Sequence, residues 1–120
     1  MSALAFIIED DQDLSTIFAD ALETVGYQVE QIKDGLIAQQ RLKEEVPYLI
    51  LLDMHLPHVS GADLLTKIIK ADARFTDTTV ILTTADARMA EAYEPLADFV
   101  MIKPISFVQL RDLTSRLKPK

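Results

Sequence analysis

Four apolar runs in this chain of 120 residues are each followed directly by side chains that could bind a metal ion or a phosphoryl group. The first run ends in an acidic stretch at residues 9–11, and the second ends at Asp53. The third ends in the threonine pair 83–84, and the fourth is followed by Lys103. If the runs are parallel strands, their carboxyl ends share one edge of a sheet, so these groups are expected to meet there.

Such a cluster needs a counter-charge. Carboxylates brought within about 4–6 Å of one another disfavour ionisation unless a cation relieves them. Lys103 can offset one negative charge, and a hard divalent cation with oxygen ligands would offset two. Proteins bind magnesium through one or two carboxylates together with phosphate oxygens and water. The cluster therefore predicts a site for phosphate chemistry that uses Mg²⁺ or Mn²⁺.

Each of these features also has a simpler explanation when it is taken alone. An acidic pair after a strand is commonly a helix N-cap with a solvated neighbour, which would suit Asp11 or Asp13. Asp53 could be ordinary turn chemistry, Thr84 an N-cap and Lys103 part of a loop. Four separate strand ends carry the polar residue types that metal-assisted phosphoryl transfer requires. One shared site therefore explains them better than four unrelated features do.

The elements that must position these groups follow from the apolar pattern. Runs of strand length occur at Leu4–Ile8, 48–52, 80–82 and Phe99–Ile102, with a weaker run at 27–32. Between them the apolar side chains follow helical spacing.

The first helical stripe is the clearest, since residues 14–25 place apolar side chains at i, i+3, i+4, i+7, i+8 and i+11. Gly26 follows it as a helix stop, and Ser106 is a good N-cap for the last helix. Further helices are predicted at 35–46, 64–69, 89–96 and 110–117. Strands that alternate with helices predict a (βα)5 domain over residues 1–120, with a doubly wound parallel sheet buried on both faces.

Composition and charge restrict the class of protein. The formal net charge is −7, from 19 acidic and 12 basic residues, and such a surface repels nucleic-acid phosphates. We interpret the basic bias of residues 111–120 as a solvated helix face. No apolar run approaches the ~20 residues that span a bilayer, no signal-peptide pattern opens the chain, and cysteine is absent. We expect a soluble cytoplasmic protein that binds neither nucleic acid nor a membrane.

The order of these motifs resembles the receiver domains of two-component response regulators, including the single-domain chemotaxis type. The order is an acid pair, an Asp followed by Leu-Pro and Gly, then Thr-Ala and Lys-Pro. Residues 51–61, LLDMHLPHVSG, match the family's phosphoacceptor segment at its signature positions. The resemblance extends from Ala3 to about Leu117, and it implies a flavodoxin-like fold with strand order 2-1-3-4-5.

For the metal, the resemblance implies a set of oxygen ligands. Asp10 and Asp53 would bind Mg²⁺ or Mn²⁺ directly, Glu9 mostly through water, and His55 through its backbone carbonyl.

For the phosphoryl group, the resemblance implies that Asp53 is the nucleophile that becomes the aspartyl phosphate. Thr84 would donate its hydroxyl to one phosphoryl oxygen and Lys103 would pair with another, with Pro104 following a cis peptide. The residue types agree with this chemistry, because a carboxylate nucleophile needs positioning and charge neutralisation.

The chain departs from the family pattern at the threonines. The spacing from Gly61 to the Thr-Ala pair is about one residue longer than the family leads us to expect. Thr83 is therefore a rival of Thr84 for the role of the hydroxyl that meets the phosphoryl group.

Two further departures concern the predicted output face. Val100 stands three residues before Lys103, where the family usually has Tyr or Phe, and Phe99 lies one step earlier. An aromatic switch at this position is therefore in question. Pro95 is expected to end the fourth helix early, because the residue before a proline is pushed out of the helical region.

The implied function is a phosphoacceptor switch. A histidine kinase or a histidine phosphotransfer protein would donate the phosphoryl group, and an unidentified target protein would read the changed surface of the fourth helix, fifth strand and fifth helix. Such a switch catalyses only its own phosphorylation and dephosphorylation and is otherwise not an enzyme. The sequence leaves open whether it acts alone or within a longer regulator.

Two other classes of protein share part of this chemistry or topology. A metal-dependent phosphatase with an aspartyl-phosphate intermediate places its nucleophile in an Asp-x-Asp motif after the first strand, and the chain has no room for a cap domain. A flavin-binding module of the same topology needs a phosphate loop after the first strand, where residues 10–13 are acidic.

Overall fold

Five parallel strands alternate with five helices in the computed structural model, which describes residues 3–119. The strands are β1 (Leu4–Ile8), β2 (Gln28–Ile32), β3 (Leu49–Asp53), β4 (Thr79–Thr84) and β5 (Phe99–Ile102). The helices are α1 (Gln12–Thr24), α2 (Gly35–Glu44), α3 (Gly61–Asp63), α4 (Ala87–Tyr93) and α5 (Phe107–Leu117). The sheet order is β2-β1-β3-β4-β5, which confirms the predicted (βα)5 fold and its strand order.

The sheet is buried on both faces, and its central strands are apolar along most of their length. Along β3, Ile50 and Leu52 face a layer formed by α2, α3 and α4, while Leu49 and Leu51 face α1 and α5. A strand buried on both sides reads as a continuous apolar run instead of an alternating one. The pattern therefore identified the central strands correctly.

Each helix begins with a side-chain cap at the edge of the sheet where the strands end. The capping side chains accept hydrogen bonds from backbone amides of the first helical turn, which have no partner within the helix. They are Asp11, Asp34, Ser60, Asp86 and Ser106. Asp11 is therefore the N-cap of α1, and Ser106 forms a full capping box with Gln109. Gly26, at a φ of 102°, follows the end of α1 as expected.

Helix α3 changes its hydrogen-bonding pattern after one turn. It continues as a π-helical segment, Leu64–Ile69, in which the amide of Lys70 donates to the carbonyl of Leu65 at 2.9 Å. An i→i+5 bond encloses one residue more than an i→i+4 bond. The segment can thus take up the additional residue between Gly61 and the Thr-Ala pair without moving the start of β4.

The fourth helix is short, as predicted from Pro95. Helix α4 ends at Tyr93, and Pro95 lies in the 3-10 turn that follows, Glu94–Leu96. The predicted apolar stripe at 89–96 was too long, because Leu96 lies beyond α4 and is 39% exposed. Ile17 was also expected on the buried stripe of α1 and is 41% exposed. Among the described residues, no helix is long and apolar enough to cross a membrane.

Candidate phosphoryl-transfer site

Three carboxylates meet at the carboxyl edge of the sheet. Glu9 and Asp10 directly follow β1, and Asp53 ends β3, which pairs with β1 through Ile8 and Leu52. One oxygen from each carboxylate lies within 4.8 Å of the other two. Glu9 and Asp53 are 2% and 3% exposed, whereas Asp10 is exposed to solvent. Asp53 is thus more buried than its position at a strand end suggests.

Lys103 brings the counter-charge from β5. Its Nζ lies 2.8 Å from Oε1 of Glu9 and 3.5 Å from Oδ2 of Asp53. Its amide donates to the carbonyl of Thr84, which ties the end of β5 to the end of β4. The peptide between Lys103 and Pro104 is cis, as the family resemblance implied.

The charges of Glu9 and Lys103 are linked. Burial raises the pKa of Glu9 to about 7, against the lowering effect of the Lys103 hydrogen bond and with a further increase from Asp53. Burial alone would lower the pKa of Lys103, but its hydrogen bond to Glu9 and the charges of Asp53 and Glu9 raise it above its ordinary value. Lys103 therefore stays charged, and the cluster holds more negative charge than one ammonium can offset.

This donor set fits a hard divalent cation. The candidate ligands are all carboxylate oxygens, and the exposed Asp10 leaves a side of the cluster open to water. Mg²⁺ and Mn²⁺ prefer oxygen ligands, and Mg²⁺ keeps several waters when protein carboxylates bind it. Burial is the main cause of the raised pKa of Glu9, and the neighbouring Asp53 raises it further.

The loop after β3 holds the Asp53 carboxylate by its backbone. The amide of His55 donates to Oδ1 of Asp53 at 3.1 Å, so the backbone of this residue lies beside the cluster although its side chain is exposed. Gly61 returns to the same loop, where its amide donates to the carbonyl of Met54. A Cβ at Gly61 would lie 2.1 Å from the carbonyl oxygen of Asp53, so only glycine fits there.

The two threonines at the end of β4 are both buried. Thr83 lies opposite Asp53 in the register of β3 and β4, and its carbonyl accepts the amide of Met54. The hydroxyl of Thr84 accepts the amide of Asp86 at 3.0 Å. In the part of the chain that the structure describes, no hydrogen bond joins either hydroxyl to the carboxylate of Asp53.

One supporting contact, between α2 and the loop that follows Asp53, was not predicted from the sequence. The amide of Gly35 donates to the carbonyl of Pro57 at 3.1 Å, and a Cβ there would lie 1.9 Å from the carbonyl oxygen of Val59. His58, between them, has a φ of 70°. Glycine at the first helical position, directly after the N-cap Asp34, was the available signal, since glycine is a poor helix former.

The sequence of this chain matches a known protein family. The family model for the response regulator receiver domain matches residues 5–115. The chain therefore belongs to the receiver domain family. Receiver domains are signalling switches of two-component systems, and they bind Mg²⁺ through an acidic pocket such as the one formed by Glu9, Asp10 and Asp53.

Curated relatives include both short and long regulators. The chain is 37% identical over 87 residues to the polar-differentiation response regulator DivK of Brucella ovis, which covers 72% of this chain and 70% of DivK. It is 27% identical to the probable methanogenesis regulatory protein FilR2 of Methanothrix harundinacea, over 96% of this chain and 81% of FilR2. Identity to the phosphate regulon regulator PhoB of Rhizobium meliloti is 31%, over 95% of this chain and 53% of PhoB.

Solved structures show the same fold at lower sequence identity. The chemotaxis response regulator CheY4 of Vibrio cholerae superposes with a TM-score of 0.87 at 18% identity, covering 98% of this chain and 99% of that chain. A putative response regulator from Chloroflexus aurantiacus gives the same TM-score at 19% identity, with 98% of both chains covered. These likenesses support the flavodoxin-like architecture.

Proposed function

We propose that this protein is a phosphoacceptor switch in which Asp53 receives a phosphoryl group in a Mg²⁺-dependent reaction. The donor is a histidine kinase or a histidine phosphotransfer protein, and residues 1–120 act as one receiver domain. The observation that carries the proposal is the convergence of Glu9, Asp10 and Asp53 within 4.8 Å, with the Lys103 ammonium beside them.

In the proposed reaction a carboxylate oxygen of Asp53 attacks the phosphorus of a phosphohistidine. The oxygen–phosphorus bond forms while the nitrogen–phosphorus bond breaks, and the imidazole leaves. A bound Mg²⁺ would neutralise charge on the phosphoryl oxygens, held by Asp10, Asp53, the carbonyl of His55 and, through water, Glu9. The hydrogen bond from the His55 amide orients the nucleophile before the attack.

Lys103 and Thr84 are proposed to hold the transferred group. Lys103 already lies between Glu9 and Asp53, so its ammonium can pair with a phosphoryl oxygen without a large movement. We favour Thr84 over Thr83 because it directly precedes Ala85, as in the family. The π-helical segment also gives the longer spacing a cause other than a shift of the threonines.

The Thr84 hydroxyl offers a route from the site to the surface. It now accepts the amide of Asp86, and the carboxylate of Asp86 caps α4 by accepting the amides of Arg88 and Met89. A hydroxyl that turns towards the phosphoryl group leaves the Asp86 amide and loosens the start of α4. The signal would then be read on α4, β5 and α5, with Val100 packed against the core where the family usually has an aromatic ring.

The test is incorporation of phosphate from a small phosphodonor such as acetyl phosphate. We expect Mg²⁺-dependent phosphorylation of the native protein, mapped to Asp53 by mass spectrometry, and none in Asp53→Asn. Asp20→Asn, which removes an exposed acid from α1, should be phosphorylated normally. Phosphate found on another residue of the native protein, or full incorporation without a divalent cation, would contradict the assignment.

The same assay separates the two threonines. Thr84→Ala should bind the phosphoryl group less well and lose any phosphorylation-dependent change in α4, whereas Thr83→Ala should keep that change. The opposite result would assign the role to Thr83.

A further inference from the structure

The loop that joins β3 to α3 contains a tight turn with a strained backbone. The amide of Val59 donates to the carbonyl of Pro57 at 2.9 Å, which closes a three-residue turn around His58. His58 has a φ of 70°, and a γ-turn with positive φ is the rare and strained form. Strained backbone persists only where the surrounding structure holds it, and such positions cluster at active sites. We call residues 57–59 the γ-turn.

The first turn of α2 holds the γ-turn from outside the loop. The amide of Gly35 donates to the carbonyl of Pro57 at 3.1 Å, so this carbonyl accepts two amides, those of Gly35 and Val59. Gly35 is buried, and a Cβ on it would lie 1.9 Å from the carbonyl oxygen of Val59. Backbone packs directly on backbone at this junction. A side chain at position 35 must therefore displace either the γ-turn or the start of α2.

Asp34 fixes the start of α2, where Gly35 is the first helical residue. Its Oδ1 accepts the amide of Ile37 at 2.9 Å and so caps the helix. Its Oδ2 lies 3.9 Å from Nδ1 of His58, whose side chain is 61% exposed, and an exposed pair at this distance contributes little. The N-cap hydrogen bond is therefore the main contribution of Asp34 to the junction.

The same loop orients the nucleophile. The amide of His55 donates to Oδ1 of Asp53 at 3.1 Å, and only one residue separates His55 from the γ-turn. At its two ends the loop is closed by the amide of Gly61, which donates to the carbonyl of Met54 at 3.2 Å. The part between these ends is held by α2. A displaced γ-turn would therefore move the His55 backbone that lies against Asp53.

We propose that Gly35 is a positioning residue for phosphoryl transfer. It acts through the carbonyl of Pro57, which holds the γ-turn and with it the backbone of His55. The His55 amide is thereby kept on Asp53, and the His55 carbonyl is kept in place as the proposed backbone ligand of Mg²⁺. This role deepens the phosphoacceptor function proposed above and rests on it.

The main test compares Gly35→Ala with Gly26→Ala. Both add a Cβ at a glycine that the backbone requires, but Gly26 lies after α1, at a φ of 102°, with the nearest atom, Nζ of Lys118, 3.7 Å away. We expect both variants to have a lower Tm. Only Gly35→Ala should slow phosphorylation of Asp53 by acetyl phosphate at saturating Mg²⁺, about tenfold or more, because a misplacement of about 1 Å can cost on the order of 100-fold.

Two further measurements do not depend on the reaction. The dissociation constant for Mg²⁺, measured by isothermal titration calorimetry, should rise about tenfold or more in Gly35→Ala, as for other groups that orient metal ligands. The amide chemical shift of His55 should move in the same variant. Gly26→Ala should keep the native value of both quantities. A glycine that only permits close packing would change the stability and neither of these readouts.

A second pair of variants disturbs the same junction without a steric clash. Asp34→Ala removes the N-cap of α2, whereas Asp34→Asn keeps it, because asparagine caps helices as well as aspartate does. We expect Asp34→Ala to slow phosphorylation and weaken Mg²⁺ binding, and Asp34→Asn to restore both. This pair tests the start of α2 independently of how well Gly35→Ala folds.

Native phosphorylation and Mg²⁺ affinity in Gly35→Ala or in Asp34→Ala would overturn the proposal. So would equal slowing in Gly35→Ala and Gly26→Ala, which would assign the effect to stability alone. Equal slowing in the two Asp34 variants would assign it to the charge of that residue and would likewise overturn the role of α2. Phosphate incorporation in the native protein tests the switch function separately, while Mg²⁺ affinity and the His55 shift test the positioning role even without phosphorylation.

Discussion

Glu9 occupies the least water-like environment of the acidic residues at the site. Its side chain is 2% exposed, whereas the next residue, Asp10, is exposed to solvent. Glu9 accepts a hydrogen bond from Lys103. The resemblance to receiver domains implied a role mostly through metal-bound water. The structure adds a direct partner, because Lys103 binds Glu9 at 2.8 Å and Asp53 only at 3.5 Å.

The raised pKa of Glu9 predicts a pH dependence of stability in metal-free buffer. Its pKa is about 7 in the folded protein against an ordinary value of 4.5, so the folded state binds the proton more tightly. The stability from this group is present below pH 4.5 and is lost as the pH rises through about 7. Urea unfolding in EDTA should show the native protein losing stability relative to Glu9→Gln across this window.

One control variant accompanies that experiment. Glu23→Gln, an exposed acid on α1, should follow the native protein across the same pH range. A constant difference in unfolding free energy between native protein and Glu9→Gln would show that Glu9 titrates as it does in water.

Gly61 allows a second prediction at the residue scale. In Gly61→Ala the new Cβ would lie 2.1 Å from the carbonyl oxygen of Asp53, and backbone must move to accept it. We expect a loss of about 1–3 kcal/mol in unfolding free energy, as for other overpacked sites, together with slower phosphorylation from acetyl phosphate.

Gly26→Ala separates the loss of stability from the slower phosphorylation. Its φ of 102° strains any other side chain, but the nearest atom would be 3.7 Å away and the site is distant. This variant should lose stability and keep its phosphorylation rate. Normal phosphorylation in Gly61→Ala would show that the loop after Asp53 tolerates displacement.

At the scale of the elements, several helix ends are held by side chains from distant parts of the chain. Lys118 donates to the carbonyl of Val25 at the end of α1, and Tyr27 donates to the carbonyl of Thr114 in α5. Arg74 donates to the carbonyls of Leu42 and Lys43 at the end of α2. These contacts satisfy carbonyls that have no partner within their own helix.

Arg74 makes the most extensive of these contacts. Its Nη2 lies 2.9 Å from the carbonyl of Leu42 and its Nη1 lies 3.3 Å from that of Lys43. Arg74→Met should lower the unfolding free energy by about 1–2 kcal/mol, because charged hydrogen bonds to backbone are lost. Hydrogen exchange should speed up at the end of α2, while the exposed Arg88→Met should change neither quantity.

At the scale of the whole molecule, the net charge of −7 includes a cluster that the fold itself assembles. Folding brings Glu9, Asp10 and Asp53 together, and Lys103 offsets only part of their charge. A cation that binds this cluster binds the folded state and not the unfolded chain. Mg²⁺ should therefore stabilise the whole domain by mass action.

Thermal unfolding tests this coupling. We expect Mg²⁺ to raise the Tm of the native protein, with a stabilisation of about 2.7 kcal/mol at 100 times the dissociation constant. Asp10→Asn should shift the effect to higher Mg²⁺ concentration, while Asp20→Asn should respond as the native protein does. The same rise in Tm for Asp10→Asn at every concentration would place the ion elsewhere.

The sequence by itself determined the alternation of strands and helices and the chemistry at the strand ends. Both depend on local order: apolar runs such as 49–52 specify buried strands, and Asp11 and Ser106 specify helix starts. The candidate site could be predicted because Asp53 ends one apolar run and Lys103 directly follows another. Parallel strands bring those ends to one edge of the sheet.

Only the tertiary structure decided the environment of each group. Burial of Glu9, its bond to Lys103 and the resulting pKa depend on side chains that are 94 positions apart in the chain. The exposure of Ile17 and the π-helical segment likewise arise from how neighbouring elements pack. Desolvation and packing are set by all surrounding atoms at once, so no local pattern of residues contains them.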